Sequence, residues 1–520
     1  MPIFGDPLDG PIDVNTVLGI GCGSKPDDVA AVSLNESRTW REMDVMSQRL
    51  ATGYLDVGLK AGDRVASLAP NRIALLIHYL ACLKAGLVAV PLNYRYTGAE
   101  IDYALDKVGA KLLFAHVERA KDLYASDCVQ RLPFGVVRLE ETGSQSSRAG
   151  LSYERLVDPA NDARDIGPHR PDAVAAVFFT SGSTGKPKGV AHSRRTLGWL
   201  MASYAATYNI TADDTIMPAT SWSHIGGYGI SLMGLAQGAR ISVARSITDE
   251  EILPLLRKAR PTFLKMLPAA MFALVHDHDA TRDDFASLRL CIAGGDRISL
   301  ELERAFIDLA GLEISELYGM TETGVSCLNA PGPGSRIGSV GTPCAGYALS
   351  IRDDAGNELP ENAEGSLWVR FRGNFLGYWN DPAATRAIVA GDWVNTGDVL
   401  MRDSDGYLWF RGRKKQIIVH DGSNISPLEV EETIETHPAV EQACAIGVHD
   451  AIHGENVRAY VTLREDTEPP TGSELIKLAQ EKIGYKAPEE IVFLAEMPIT
   501  VTGKIDRKRL MRQALEHRDA

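Results

Sequence analysis

Between residues 30 and 140 the chain alternates between two hydrophobic periods. ALLIHYLACLKAG (74–86) repeats its apolar positions at helical spacing, and LVAVPLN directly after it reads as a short apolar strand, so the region predicts α/β structure. From 141 to 170 the pattern lapses into Gly, Ser, Asp and Pro (ETGSQSSRAG, then DPANDARDIGPHRPD), the composition of an exposed connection. Order returns with DAVAAVFF (172–179), a continuous apolar run of buried-strand length. Ser193 then stands as the N-cap of a helix whose apolar face is Leu197, Leu200, Met201 and Tyr204. The segment between is expected to join a buried strand to a helix.

Residues 337–412 change texture to short alternating strands with turn residues, including Asp405-Gly406 between VLMRD and YLWF. After the basic run Arg411-Gly412-Arg413-Lys414-Lys415 a small α/β unit is expected. Ser426-Pro427-Leu428-Glu429 predicts a capping box with proline at the first helical position. NVRAYVTL (456–463) turns Val457, Ala459, Val461 and Leu463 inward, and SELIKLAQEKI (473–483) ends at Gly484.

Composition narrows the class. At 520 residues with 45% hydrophobic content the chain can fill several cores. A net charge of −14 opposes nonspecific attraction to nucleic acid or anionic lipid, so any basic site must be local. The seven cysteines are scattered with no C-x-x-C spacing, which argues against a zinc site or a disulfide framework and favours a reducing cytoplasm. MPIFGDPLDG lacks the basic and apolar regions of a signal peptide, and the apolar stretch 73–93 is interrupted by His78, Lys84 and Pro91, so no membrane span is expected.

The chemistry concentrates in FFTSGSTGKPKGV (178–190). Thr180, Ser181, Ser183 and Thr184 supply hydroxyls, Gly182 and Gly185 let backbone N–H groups approach an anion, and Lys188 adds a cation. This suits a polyphosphate. It is not a Walker A loop, because Pro187 follows Gly185-Lys186 where that motif has Ser or Thr. The run resembles the phosphate loop of the adenylate-forming superfamily, which includes acyl-CoA and aryl-CoA synthetases. Further motifs follow in the family's order, over roughly residues 30–510. Tyr318-Gly319-Met320-Thr321-Glu322 is similar to the family's Tyr-Gly-x-Thr-Glu, which implies that Tyr318 stacks on adenine, Thr321 meets the α-phosphate and Glu322, with Thr184, holds Mg²⁺. Gly294, Gly295 and Asp296 resemble the adenine-wall loop. Thr396-Gly397-Asp398 with Arg413 resembles the ribose-binding pair, Lys415 falls at the family's hinge position, and Thr500 to Arg507 resembles the terminal motif whose lysine, here Lys504, is catalytic.

The resemblance implies an α/β fold: a large N-terminal domain (1–412) of two α/β subdomains plus a β-rich, barrel-like unit, and a small mobile C-terminal α/β domain (413–520). It implies that ATP, Mg²⁺ and coenzyme A serve the activation of a small carboxylic acid as acyl-AMP and its transfer to CoA. Delivery to a carrier-protein thiol is the alternative, and a nucleotide-binding module without turnover stands outside the enzyme class. His224 matches the pocket histidine, and Ile225, Gly226, Gly227, Leu317, Gly319 and Gly324 match acid-pocket positions whose small residues leave room for an aryl or medium-length chain. No arginine or lysine stands among them, so a monocarboxylate is expected over a dicarboxylate. Gly422 falls in the loop that lines the pantetheine tunnel in the family; Asp421 departs from the usual Gly-Gly there. No nucleic-acid partner and no integral membrane association are expected; a homodimer is left open.

Overall fold

The structure, a computed structural model, describes residues 2–520 except 141–150, 181–186, 246–247, 277–278, 295–297, 299, 415, 421–422, 451–453, 466, 501–503 and 517–520. The chain divides into a larger unit (3–349 with 369–394) and a smaller one (350–368 with 395–520). The expected boundary at 412 falls inside the strand Leu408–Arg413.

Two sheets build the larger unit. The first has eight strands in the order 377–378, 188–193, 174–180, 88–91, 64–68, 112–116, 136–139, 151–152. Its members from 174–180 onward are parallel, and 188–193 returns antiparallel beside 174–180. The second has nine strands, and again a parallel run, here 314–320, 290–294, 263–266, 215–219, 240–242 and 29–32, is edged by an antiparallel hairpin, 314–320 with 324–328. Parallel strands need long crossovers, and helices such as Ile73–Ala85 and Ile225–Ala236 supply them, while Arg194–Thr207 leads from the first sheet to the second. The Ile73–Ala85 helix is apolar nearly all round and buried, and Gly86 at φ +69° ends it in the left-handed conformation that glycine tolerates best. Among the described residues no helix is long and apolar enough to cross a membrane.

Several sequence expectations meet the structure directly. Ser193 caps Arg194–Thr207 through a capping box with Thr196, and Leu197, Leu200, Met201 and Tyr204 are buried. The segment before it is different from the expectation. Lys188–Ser193 is a strand, so the phosphate-suited run joins two antiparallel strands, not a strand and a helix. Its alternation was too short to read, yet pairing with Val174–Thr180 and with Gly377–Tyr378 satisfies its backbone groups. Likewise, within the expected connection, Leu151–Ser152 extends the eight-stranded sheet and Tyr153–Leu156 forms a helical turn; 157–170 is mainly exposed.

A hairpin of the strand Trp393–Arg402, whose residues from 395 onward belong to the smaller unit, with Leu408–Arg413 turns at Asp405-Gly406, where Gly406 has φ +87°. The C-terminal part is a five-stranded sheet containing Gly454–Leu463, with helices Pro427–Glu435, Gly472–Ile483 and Arg507–Glu516. Val457, Ala459 and Val461 point into one core as expected, but Tyr460 on the opposite face is also buried, against Met497, Leu510 and Ala514. The capping box at Ser426 does not form. Pro427 does open the helix, but the Ser426 hydroxyl donates to the Arg411 carbonyl, and the Glu429 carboxylate is held by Lys486 at 2.8 Å.

Candidate active site

Ligand crevices in open parallel sheets lie beyond the carboxyl ends of the strands. The motif residues fall there in both sheets. Thr180 ends one parallel strand, Gly294 another and Met320 a third, while 220–227 follows the strand Thr215–Ala219. Three hydrogen bonds tie the two sheets together at this edge. His192 Nε2 donates to the Thr321 carbonyl at 2.9 Å, the Tyr378 hydroxyl donates to Glu322 Oε1 at 2.6 Å, and the Phe375 N–H donates to the Glu322 carbonyl at 2.8 Å.

Thr180 and Lys188 are cross-strand partners, so the hairpin register fixes where the polyphosphate-suited run begins and ends. Ser181, Gly182, Ser183, Thr184 and Gly185 lie outside the described residues. The Lys188 ammonium sits 4.8 Å from the centre of the Tyr378 ring, a cation–π contact. Burial and the adjacent Glu322 charge push the Tyr378 hydroxyl well above its usual range, so it remains a proton donor to Glu322. The Glu322 side chain is only 5% exposed, and it projects from the turn between Ile314–Met320 and Gly324–Leu328. Among the described residues no group of three or more His, Cys, Asp or Glu could hold a metal by itself. A lone hard carboxylate suits Mg²⁺ that takes its remaining ligands from phosphate oxygens and water.

Tyr318 and Gly319 are the two residues before the last of that parallel strand, on either side of a bulge. Tyr318 is buried and Gly319 is exposed. Gly294 lies in register with Leu317; Gly295 and Asp296 lie outside the described residues. In the smaller unit Asp398 and Arg413 are directly opposite on the hairpin, with Arg413 Nε 3.1 Å from Asp398 Oδ1. Asp398 is 5% exposed. Gly397, at φ +75°, makes the bend that turns it in. Lys415 and Gly422 lie outside the described residues.

Lys504 is exposed, and two bonds join it to Thr500: the Thr500 N–H donates to the Lys504 carbonyl at 2.7 Å and the Lys504 N–H to Thr500 Oγ1 at 3.2 Å. Beyond it Arg507 donates to Glu431 Oε1 and Oε2 at 2.5 and 2.8 Å and to the Ala445 carbonyl at 2.8 Å. The last arginine of the terminal motif thus anchors the lysine-bearing segment to the small sheet.

His224 occupies the residue before the helix Ile225–Ala236, exposed, with extended backbone. The turn that presents it is clamped by the buried Asn71, whose amide donates to the Thr220 carbonyl at 2.9 Å and accepts from the Trp222 N–H at 3.0 Å. The pocket glycines correct one expectation. In the direction a side chain would take, Gly227 meets the Ser221 carbonyl, Gly324 meets Leu200 and the Tyr204 hydroxyl, and Gly319 meets the Gly324 carbonyl; Gly294, expected in the adenine wall, likewise meets Leu317. Their smallness serves close approach of the protein to itself. A Cβ on Gly226 would overlap the ammonium of Lys265. None of the expected pocket positions is itself a cation, but a neighbour outside them is: Lys265, from the strand Phe263–Met266, is buried beside Gly226.

Sequence reasoning missed four of these side chains: His192, Asn71, Tyr378 and Lys265. Burial lowers the His192 pKa to about 4, so the ring is neutral; its Nε2 must carry the proton, because its partner is a carbonyl. A strand residue facing a motif turn from another sheet has no local sequence signal.

A family model for the AMP-binding enzyme matches residues 21–379, and one for the AMP-binding enzyme C-terminal domain matches residues 429–504. The chain belongs to the AMP-binding enzyme family. A feruloyl-CoA synthase of an Amycolatopsis species is 31% identical over 91% of this chain and 94% of its own length. A medium-chain fatty-acid–CoA ligase of Escherichia coli K12 is 32% identical over 94% and 88%. Among solved structures, ATP-bound MatB from Rhodopseudomonas palustris superimposes with a TM-score of 0.88 at 26% identity, covering 97% of this chain and 99% of that one. The resemblance to adenylate-forming enzymes and the α/β architecture expected from it are both borne out.

Proposed function

We infer that this AMP-binding family enzyme is an ATP-dependent carboxylic acid:CoA ligase that forms acyl-AMP with release of pyrophosphate and then an acyl-CoA. The observation that carries this is the buried Glu322, tied to Tyr378, at the joint between the two sheet edges of the larger unit. Relatives named as CoA ligases over nearly their whole length support the same chemistry.

In the first step a substrate carboxylate oxygen attacks the α-phosphorus of ATP and pyrophosphate leaves. The run from Thr180 to Lys188 would hold the β- and γ-phosphates, and Tyr318 and Thr321 would face adenine and the α-phosphate. Gly294, Gly295 and Asp296 would form the adenine wall. Bound at Glu322, with Thr184, Mg²⁺ would neutralise phosphate charge. Lys504 would bring the two anions together and offset charge on the transferring phosphoryl group. In the second step the CoA sulfur attacks the acyl carbonyl and AMP leaves, the segment beyond a pivot at Lys415 having turned to place the loop at Gly422 along the pantetheine. The domain boundary proposed is 412/413. Seven free cysteines fit a cytoplasmic site of action.

A panel of aliphatic and aromatic acids, scored for AMP release with and without CoA, tests the assignment. CoA should raise steady-state AMP release well above the rate with acid and ATP alone, because the acyl-adenylate otherwise stays bound. Equal rates, with transfer to a holo carrier protein, would replace CoA by a protein thiol; absence of any acid-dependent pyrophosphate release would remove the ligase assignment.

The ribose contact has its own test. Asp398→Ala deletes the acceptor that Arg413 flanks, and should weaken ATP binding by about 1.5–3 kcal/mol, the scale of hydrogen bonds to a charged group. Titration calorimetry on a variant with native circular dichroism reads this; an unchanged affinity would take Asp398 out of the site.

A further inference from the structure

Lys265 is the one residue of its strand that does not suit its place. Phe263–Met266 runs in the middle of the nine-stranded sheet, paired with Thr215–Ala219 on one side and Leu290–Gly294 on the other, and Phe263, Leu264 and Met266 are fully buried apolar residues. Lys265 is 7% exposed. Its ammonium lies against Gly226, in the first turn of Ile225–Ala236, where the helix leaves its N–H groups unbonded and its dipole is positive. No ion pair or hydrogen bond to Lys265 occurs among the described residues. Burial lowers its titration to about 8, so the cation persists at neutral pH, and among the described residues no carboxylate, Glu322 included, compensates it.

A buried cation beside a helix N-terminus, with no partner, is costly in the free protein and is a ready receptor for an anion. It lies against the His224–Gly227 turn, the acid-pocket segment of the proposed ligase. We propose that Lys265 is a specificity-determining residue of that pocket and holds a second carboxylate carried by the substrate acid, at the end away from the carboxyl group that is activated. The N–H groups of the first turn of Ile225–Ala236 share that carboxylate. Gly226 is glycine because any side chain there would displace the ammonium.

The inference rests on the ligase assignment, and the test separates the two. The whole enzyme, with ATP, Mg²⁺ and CoA, is given matched pairs of acids: dicarboxylic acids and the monoacids of equal length in which a methyl group replaces the second carboxylate, both aliphatic and aromatic. Pyrophosphate release gives kcat/KM for each. The unmodified protein should favour the dicarboxylate of its preferred length by about tenfold or more, since a buried polar group rejects a ligand that leaves it unpaired. Lys265→Met should reverse that order, lowering kcat/KM for the dicarboxylate about tenfold or more while leaving or improving the monoacid. Monoacids favoured throughout by the unmodified protein, or a dicarboxylate-to-monoacid ratio unchanged in Lys265→Met, would overturn the proposal. If Lys265→Met does not fold, the ratio in the unmodified protein decides alone. Turnover of monoacids only would overturn the role of Lys265 and keep the ligase; no turnover with either series would overturn the ligase.

Discussion

Lys504→Ala is expected to lose nearly all acyl-adenylate formation and to keep thioester formation. Removing a preorganised charge at a transferring phosphoryl group costs about 10²–10³ in rate, and no other residue of the terminal motif offers a cation at that place. The side chain is exposed, and Lys504 bonds to Thr500 through its backbone groups alone, so truncation leaves those bonds intact. Arg507, bonded to Glu431 and Ala445, is untouched. Pyrophosphate exchange with acid and ATP reads the first half-reaction, and synthetic acyl-adenylate with CoA reads the second. A substantial fraction of the normal thioester rate should survive, because Lys504 has no part in the attack of sulfur on the acyl carbonyl. Equal loss of both half-reactions in a folded variant would remove the turning of the C-terminal segment from the mechanism.

The motifs were legible because the residues that touch a nucleotide come in short contiguous runs. Backbone turns demand neighbours in sequence, and a turn such as Thr396-Gly397-Asp398 carries its own signature in the left-handed Gly397. Long apolar segments were legible for the same local reason: Ile73–Ala85 with Gly86, and Gly472–Ile483 with Gly484, are each an uninterrupted period with a stop.

What escaped was set by distant partners. Ser426 has the spacing of a capping box, but Arg411 and Lys486 compete for its two side chains and win, since a buried carbonyl needs a donor and a lysine adds charge to the bond. The pocket glycines looked like space for a ligand, whereas Ser221 at Gly227, and Leu200 and Tyr204 at Gly324, fill the directions their side chains would take. Lys265 within FLKM gives no hint of Gly226, because only the crossing of helix over sheet brings them together. Pattern reading finds what the chain does locally; the polar groups on which acid selection would depend are tertiary.

Glu322→Gln should be the most damaging change within the larger unit. Glutamine keeps the volume of the side chain and can still accept from the Tyr378 hydroxyl, so the joint between the two sheet edges remains made. What it loses is the negative charge of a buried oxygen, the feature that suits Mg²⁺. Acyl-adenylate formation should fall at least about 100-fold, corresponding to the several kcal/mol that a metal supplies in stabilising phosphoryl charge. Tyr378→Phe provides the calibrating comparison: it deletes the group that orients the carboxylate and leaves the charge, so a smaller loss, about 10–100-fold in apparent Mg²⁺ affinity, is expected and excess Mg²⁺ should recover much of it. Excess Mg²⁺ should not recover Glu322→Gln. The thermal midpoints of both variants, followed without nucleotide, should stay within a few degrees of the unmodified protein, about 1 kcal/mol for a chain of this size. Retention of the unmodified Mg²⁺ dependence by Glu322→Gln would show that the metal is held elsewhere, and the catalytic role assigned to this carboxylate would fall with it.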